Sequence, residues 1–374
     1  MEGTIIVGEP EIPAFYDPPN PLLPGPPGDL IRIEPIGARS GIRAWRMLYH
    51  STTRAGEDIM VSGMIAAPDR DPPSGGFPLI ASAHGTTGIN RRCAPSIDPD
   101  VPVPNGVSYF DILAPYVDAG YAIAAADYQG LGAPGDPAYL VGEVESRNVL
   151  DAARAARALP DLRTADPLLI FGHSQGGHAA AFAGQIIPQY APEQRVAGVV
   201  LLAPAAELEL MAAGIAMVRQ PIPGVAFLVA AMYSWSLIYA DAPLDAVLTE
   251  AGLDAVETLK HHCGLDMYPP FMSEPPHHYF NPLGIVLHQT WRSLIARNVP
   301  GHAKVDAPIF VGQGGADQLV PPIMTELFVK RLQMRGDDVR LHHYPDADHN
   351  GVLDASQADV IDWLGAQFRA SRAR

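Results

Sequence analysis

The sequence contains few cysteines and few lysines. Only two of its 374 residues are cysteines, Cys93 and Cys263, which are too few and too far apart for a Cys-x-x-Cys metal or redox motif. They form either one disulfide or two buried thiols. The three lysines, Lys260, Lys304 and Lys330, are scattered along the chain, which excludes a polybasic membrane anchor.

The chain also lacks an excess of positive charge. Its 25 Lys and Arg residues are outnumbered by 41 Asp and Glu residues, which gives a net charge of -16 at pH 7. This charge repels nucleic acid phosphates and anionic membrane surfaces, so neither is an expected partner. With 48% hydrophobic and 18% charged residues, the composition is typical of a soluble globular protein. The length favours one large core with an insertion.

The N-terminal residues do not resemble a signal peptide. They lack a positively charged start followed by an apolar segment of about 7 to 15 residues. Two hypotheses stay open: the chain is cytosolic, or a signal was removed before Met1. Residues 1–40 are rich in proline and predict an extended surface arm.

Short runs rich in apolar and β-branched residues predict eight strands. They cover residues 44–50, 59–66, 78–83, 121–126, 167–172, 196–202, 307–312 and 339–344. Helical patterns such as residues 145–159 and 176–187 separate the later runs, as in a parallel sheet covered by helices on both faces. The predicted fold class is therefore α/β, with a doubly wound, mostly parallel eight-stranded sheet.

About 100 residues separate the sixth predicted strand from the seventh, far more than a simple crossover needs. We therefore predict a helical insertion over residues 206–300, between core segments 41–205 and 301–374. The uncharged run 220–240 lies within it and is long enough to cross a membrane. A single crossing would place strands of one sheet on opposite sides of the bilayer. We expect a helix of the insertion there and no integral membrane contact.

The segment Gly172-His173-Ser174-Gln175-Gly176-Gly177 lies between a predicted strand and an alanine-rich predicted helix. The pattern G-x-S-x-G in this context indicates a nucleophile elbow, in which a serine hydroxyl projects from a tight turn. Gln175 would then be the first residue of the helix, and its backbone N–H would face an oxyanion. The alternative is a structural or phosphate-binding glycine turn.

The acid and the base of such a site should follow later strands, in that order. Asp317 lies in a glycine-rich loop after the seventh predicted strand, and His349 follows the eighth. We predict that Ser174, Asp317 and His349 form a catalytic triad. The alternative for Asp317 is an N-cap of a helix over residues 321–335. Asp346, Asp348, His342 and His343 are the weaker candidates, because the aspartates are too near His349 in sequence and the histidines lie within the strand.

The second oxyanion donor should come from the loop after the third predicted strand. That loop reads His84-Gly85-Thr86-Thr87-Gly88, so Thr86 or Thr87 is the candidate. A plain turn is the alternative. Adjacent histidines at 261/262, 277/278 and 342/343 point apart, and such a pair cannot chelate one ion by itself. We expect no metal and no cofactor.

Three further segments accompany the elbow. They are the proline-rich arm at 13–19 with its continuation at 27–32, Cys93-Ala94-Pro95-Ser96, and Asp127-Tyr128-Gln129-Gly130-Leu131-Gly132. Together they resemble the secretory lipase family, from about residue 13 to the C-terminus. The resemblance implies an α/β-hydrolase fold, serine lipase or esterase activity and a helical lid within the insertion. It also implies a disulfide between Cys93 and Cys263 and an extracytoplasmic location.

Two differences from the family shape the expected activity. The chain stops at a predicted helix over residues 356–374, where the family's lipases carry a further flap over the acyl tunnel, and its oxyanion loop has Thr86-Thr87 where fungal members have an acidic residue. We expect a hydrolase of small neutral acyl esters, with short to medium chains favoured and a lid that contacts a lipid interface. The alternatives are a long-chain triacylglycerol lipase, an acyltransferase or peptidase with the same triad, and a non-enzymatic binding protein. The sequence does not indicate an oligomeric state.

Overall fold

The computed structural model describes residues 12–37, 39–99 and 108–373. Most of the N-terminal residues compared above with a signal peptide lie outside this range, as do residue 374 and the first part of the predicted arm. One nine-stranded sheet organises the described chain. Its strands are β1 (Leu30–Ile36), β2 (Ile42–Thr52), β3 (Asp58–Pro68), β4 (Phe77–Ala83), β5 (Ala122–Ala126), β6 (Thr164–His173), β7 (Val196–Leu202), β8 (Ile309–Gly314) and β9 (Val339–Tyr344).

The spatial order of the strands is β1-β2-β3-β5-β4-β6-β7-β8-β9. Strands β1, β2, β3 and β5 pair antiparallel, and the remaining pairs from β5 to β9 are parallel. The central parallel strands are almost wholly buried, which explains why they are continuous apolar runs in the sequence. Their carboxyl ends meet at one edge of the sheet, where the loops after β4, β6, β8 and β9 converge.

The prediction of eight strands was wrong by one. Residues 30–36, assigned to the extended arm, form the edge strand β1 and pair with β2. Arg32, Glu34 and Pro35 interrupt the apolar pattern of this segment. An edge strand tolerates such residues because one of its sides forms no ladder hydrogen bonds.

Helices cover both faces of the sheet. Helices α2, α3 and α10 supply residues to the core on one face, and α1 and α11 to the core on the other. Their bounds are α1 (Tyr109–Asp118), α2 (Gly142–Ala158), α3 (Gln175–Tyr190), α10 (Pro322–Met334) and α11 (Gly351–Arg372).

The chain between β7 and β8 is helical and has its own hydrophobic core. Most of the uncharged run 220–240 forms helix α5 (Gly224–Ile238), whose Val225, Val229 and Trp235 are buried. In the described ranges, no helix is both long and apolar enough to cross a bilayer. The helices of this segment are α4 (Leu208–Met217), α5 (Gly224–Ile238), α6 (Glu250–Leu259), α7 (Pro276–Tyr279), α8 (Pro282–Leu287) and α9 (Gln289–Arg297).

Candidate active site

Ser174 lies at the sharp turn between β6 and α3. Its φ angle is +56°, a left-handed conformation that non-glycine residues rarely adopt. Two glycines allow this turn. A Cβ atom on Gly172 would lie 2.0 Å from the carbonyl oxygen of Gly176, and one on Gly176 would lie 1.9 Å from that of Ala83. The strand, the helix and β4 can therefore approach this closely only with glycine at both positions.

The three residues predicted as a triad form one chain of hydrogen bonds. Nε2 of His349 lies 2.8 Å from Oγ of Ser174, and Nδ1 of His349 lies 2.8 Å from Oδ2 of Asp317. His349 and Asp317 are buried, with 7% and 4% of their surfaces exposed. Such an arrangement can take the proton from the serine hydroxyl while the carboxylate holds the imidazole in the required tautomer.

The carboxylate of Asp317 is surrounded by donors. Its Oδ1 accepts the backbone N–H groups of Leu319 and Val320 at 2.9 and 2.8 Å, and its Oδ2 accepts Nε2 of Gln313 at 3.1 Å. Burial raises the pKa of this carboxyl, but the hydrogen bonds and the charge of His349 outweigh it, so the pKa lies below its ordinary value. Asp317 therefore stays ionised.

Two polar residues beside the triad were not singled out from the sequence. Gln313, at the end of β8, is fully buried and donates to Asp317. His173, at the end of β6, lies with its Nε2 2.8 Å from the backbone oxygen of His349. Because a carbonyl only accepts, this Nε2 carries the proton. Burial, aided by the nearby His349, lowers the pKa of His173 to about 3, so the ring is neutral. The position of His173 next to Ser174 in the sequence is the signal that could have identified this residue.

The weaker candidates lie outside this chain of hydrogen bonds. Asp348 accepts the backbone N–H of Gly351 at 2.7 Å, at the start of α11. His342 stacks on Phe310, with ring centroids 4.2 Å apart. In the described part of the chain, no group of three or more His, Cys, Asp or Glu residues is arranged to hold a metal ion.

The predicted oxyanion donors fall into two groups. Gln175 is the first residue of α3, so its N–H has no carbonyl partner within the helix. Thr86 lines the same cavity as Ser174, and its hydroxyl lies 2.8 Å from that of Tyr139. Thr87 is not among the residues that line this cavity, and its backbone oxygen accepts the N–H of Gly264. The structure thus brings Gln175 and Thr86 near the serine.

A cavity opens at Ser174. The segment between β7 and β8 contributes Phe227 and Tyr268 to its wall, with ring centroids 5.4 Å apart. Phe227 also lines a second cavity. The other residues of that cavity are apolar: Leu140, Leu208, Met211, Ala212, Ile215, Leu228, Ala231, Met232, Trp235, Trp291 and Ile295.

Cys93 and Cys263 are joined by a disulfide. The bond connects the segment after the oxyanion loop to the helical segment between β7 and β8, across 170 residues of sequence. The neighbouring backbone contact between Thr87 and Gly264 joins the same two regions at 2.8 Å. The wall of the cavity is thus covalently attached to the core.

The sheet order, the serine turn and the polar chain at the carboxyl edge define an α/β-hydrolase fold. The crystal structure of Candida antarctica lipase A has the same fold. It matches with a TM-score of 0.76 and 19% identity, and the match covers 90% of this chain and 80% of that one. The model of the secretory lipase family matches residues 109–374, and the chain belongs to this family. The predicted fold class and family are confirmed.

The curated relatives match this chain over only part of their length. Lipase 9 of Candida albicans is 26% identical over 208 residues, which are 51% of this chain and 44% of that protein. A Mycobacterium tuberculosis protein named as a probable inactive lipase is 25% identical over 210 residues, covering 52% of this chain and 45% of the relative. The chain therefore matches less than half the length of these relatives.

Proposed function

We propose that the protein is a cofactor-free serine carboxylic ester hydrolase that cleaves neutral acyl esters. The observation that carries the proposal is the chain of hydrogen bonds from Asp317 through His349 to Ser174, which ends at the wall of a cavity. The alternative of a non-enzymatic binding protein does not explain why these three residues meet in this geometry. Family membership supports the same class of reaction.

The reaction follows from the geometry. The Oγ atom of Ser174 attacks the acyl carbonyl carbon and loses its proton to Nε2 of His349. The N–H of Gln175 and a donor from Thr86 stabilise the resulting oxyanion. The C–O bond to the alcohol then breaks, and His349 gives its proton to the departing oxygen. Water, deprotonated by His349, releases the acid and restores the serine.

The cavities support short to medium acyl chains. Phe227 lines both the cavity at Ser174 and the apolar cavity. With Phe227 in place, the space at the serine holds a small acyl group, and the apolar cavity lies beyond it. The net charge of -16 disfavours anionic esters. The disulfide between Cys93 and Cys263 supports a location in an oxidising, extracytoplasmic compartment.

A long-chain lipase is the second candidate, and the outer surface of the helical segment favours it. This segment exposes large apolar side chains, and its helices α4 and α8 pack together. The exposed fractions are 80% for Met217, 68% for Leu283 and 64% for Leu287. Such a surface suits contact with a lipid interface. On this hypothesis, residues 206–300 act as a lid.

The proposal is tested by hydrolysis of p-nitrophenyl acetate, butyrate, octanoate and palmitate, with Ser174→Ala as the matched variant. We expect the highest kcat/KM on the shorter esters and a loss in kcat on the order of 10⁶-fold in Ser174→Ala. Hydrolysis that survives this substitution would refute the assignment. A maximum on palmitate that rises at an emulsion surface would favour the lipase, and preferential cleavage of aminoacyl anilides would favour a peptidase. Transfer of the acyl group to an added alcohol in preference to water would favour an acyltransferase.

A further inference from the structure

Glu145 is a fully buried carboxylate beside the elbow, and the reaction above does not use it. It lies in the first turns of α2. Its Oε1 accepts the backbone N–H of Leu140 at 2.8 Å and Nε2 of Gln175 at 2.7 Å. Its Oε2 lies 3.3 Å from Nδ1 of His178. A buried carboxylate is costly unless its hydrogen bonds are satisfied, and here both oxygens have partners.

The contact with Gln175 restrains the residue that carries one of the proposed oxyanion donors. In the proposed reaction Gln175 supplies its backbone N–H to the oxyanion, while its side chain is bound to Glu145. The other end of this side chain, Oε1, is buried and has no hydrogen-bond partner among the described residues. The bond to Glu145 is therefore what stabilises a buried amide at this position, and it restrains the first residue of α3.

The contact with Leu140 leads to the other proposed donor, Thr86. Leu140 has a φ angle of +54°, and its backbone N–H donates a hydrogen bond to Glu145. The preceding residue, Tyr139, places its hydroxyl 2.8 Å from Oγ1 of Thr86. The backbone oxygen of Tyr139 accepts Nε1 of Trp235 at 3.0 Å, which fixes this loop from the other side. Glu145 is thus linked to Thr86 by two hydrogen bonds, through Leu140 and Tyr139.

The contact with His178 positions the side chain of Glu145 itself. His178 lies one turn after Gln175 on α3, and its Nε2 lies 2.7 Å from the backbone oxygen of Asn298. That nitrogen carries a proton because a carbonyl only accepts, so the contact between Nδ1 of His178 and Oε2 of Glu145 holds a further proton, either on the ring or on the carboxyl. The side-chain oxygen of Asn298 accepts the N–H of Gly142, the first residue of α2, at 3.1 Å. The polar network therefore closes on the helix that carries Glu145.

We propose that Glu145 is a positioning residue that holds both oxyanion donors, Gln175 and Thr86, at the distance the transition state requires. This inference rests on the proposed ester hydrolysis. Donors that are fixed before the reaction stabilise the oxyanion without reorganisation, and an error of about 1 Å costs on the order of 10²-fold in rate. Glu145 acts through hydrogen-bond acceptance, and its charge is not required.

The test compares Glu145→Leu, which removes both acceptors, with Glu145→Gln, which keeps one oxygen for Leu140 and Gln175 and offers an N–H to His178. The control is Glu143→Gln on the same helix, where the side chain is 45% exposed and pairs with Arg147. For each variant, kcat and KM are measured on p-nitrophenyl butyrate, with active sites counted by titration with a p-nitrophenyl phosphonate. Affinity for an alkyl boronic acid reports on binding of the tetrahedral adduct.

In Glu145→Leu we expect kcat per active site to fall on the order of 10- to 100-fold, with KM within about twofold. Boronate affinity should fall by a similar factor. Glu145→Gln should recover most of the loss, and the control should match the wild type. An unchanged kcat per active site in Glu145→Leu, or equal losses in both Glu145 variants, would overturn the proposal.

Two single-contact variants decide the question if Glu145→Leu does not fold. Gln175→Met removes the amide bound to Glu145, and Tyr139→Phe removes the hydroxyl bound to Thr86. We expect each to lower kcat and boronate affinity several-fold without raising KM, and unchanged values in both would overturn the proposal. Absence of Ser174-dependent hydrolysis in the wild type would instead refute the proposed function.

Discussion

Nε2 of His349 lies 2.8 Å from Oγ of Ser174, although 175 residues separate them in the sequence. The parallel sheet accounts for this approach. Strands β6, β7, β8 and β9 are neighbours, and the loops that carry the serine, the aspartate and the histidine all leave from their carboxyl ends. The distance therefore depends on the pairing of the strands and on the two glycines of the turn.

The contact between His349 and Asp317 predicts the effect of Asp317→Asn. A carboxylate has two acceptor oxygens, whereas an amide has one oxygen and one NH₂ group. An NH₂ group that faces Nδ1 of His349 favours the wrong imidazole tautomer. We expect kcat to fall on the order of 10⁴-fold, with little change in KM. Asp348→Asn, which replaces an exposed carboxylate and keeps an oxygen that can accept the N–H of Gly351, is the matched control. Steady-state kinetics that fail to separate the two variants would contradict the role of Asp317.

The part of the site that follows from local sequence is the order of residues at strand ends. A G-x-S-x-G turn between strand and helix, then an aspartate and a histidine after later strands, was sufficient to select three side chains that the fold brings into contact. Gln313 and Glu145 were not selected, because each is a polar residue inside an element and only the packing of distant segments shows its partner. The edge strand β1 was missed since Pro35 and alternating charges mask its pattern.

The two threonines of the oxyanion loop predict opposite outcomes. Thr86 lines the cavity and its hydroxyl contacts Tyr139, so Thr86→Val should lower kcat on the order of 10-fold. The hydroxyl of Thr87 is buried and has no hydrogen-bond partner among the described residues. Thr87→Val should therefore keep kcat and raise the melting temperature, because it removes an unsatisfied polar group. Kinetics and thermal unfolding of both variants check this, and a larger rate loss in Thr87→Val would reverse the assignment.

Phe227 is predicted to limit the length of the acyl chain. Its ring lines both the cavity at Ser174 and the apolar cavity beyond. Phe227→Ala should join the two, and each further methylene buried there gains about 0.8 kcal/mol. We expect the ratio of kcat/KM for p-nitrophenyl octanoate to that for the acetate to rise at least about tenfold. Leu237→Ala, at an exposed position of the same helix, is the control. An unchanged ratio would show that the acyl group lies elsewhere.

Asp127 is predicted to make the stability of the fold depend on pH. Its carboxylate is buried and accepts from Oγ of Ser62 at 2.6 Å and from the backbone N–H of Ser96 at 3.0 Å. Burial outweighs these hydrogen bonds and raises the pKa of Asp127 to about 6, above its ordinary value of 3.8. The folded protein therefore binds this proton more tightly than the unfolded chain does, so the free energy of unfolding falls as the pH rises from about 4 to about 6.

Asp127→Asn removes this titration while keeping an oxygen that can accept the N–H of Ser96. We expect the decrease in unfolding free energy between pH 4 and pH 6.5 to be smaller in the variant by on the order of 3 kcal/mol, since one pKa unit corresponds to about 1.4 kcal/mol. Urea unfolding at several pH values, with the disulfide intact, measures the difference. Asp118→Asn, at an exposed position, should follow the wild-type curve. If Asp127→Asn also follows the wild-type curve, the carboxyl titrates alike in the folded and unfolded states, and burial is not what controls its proton.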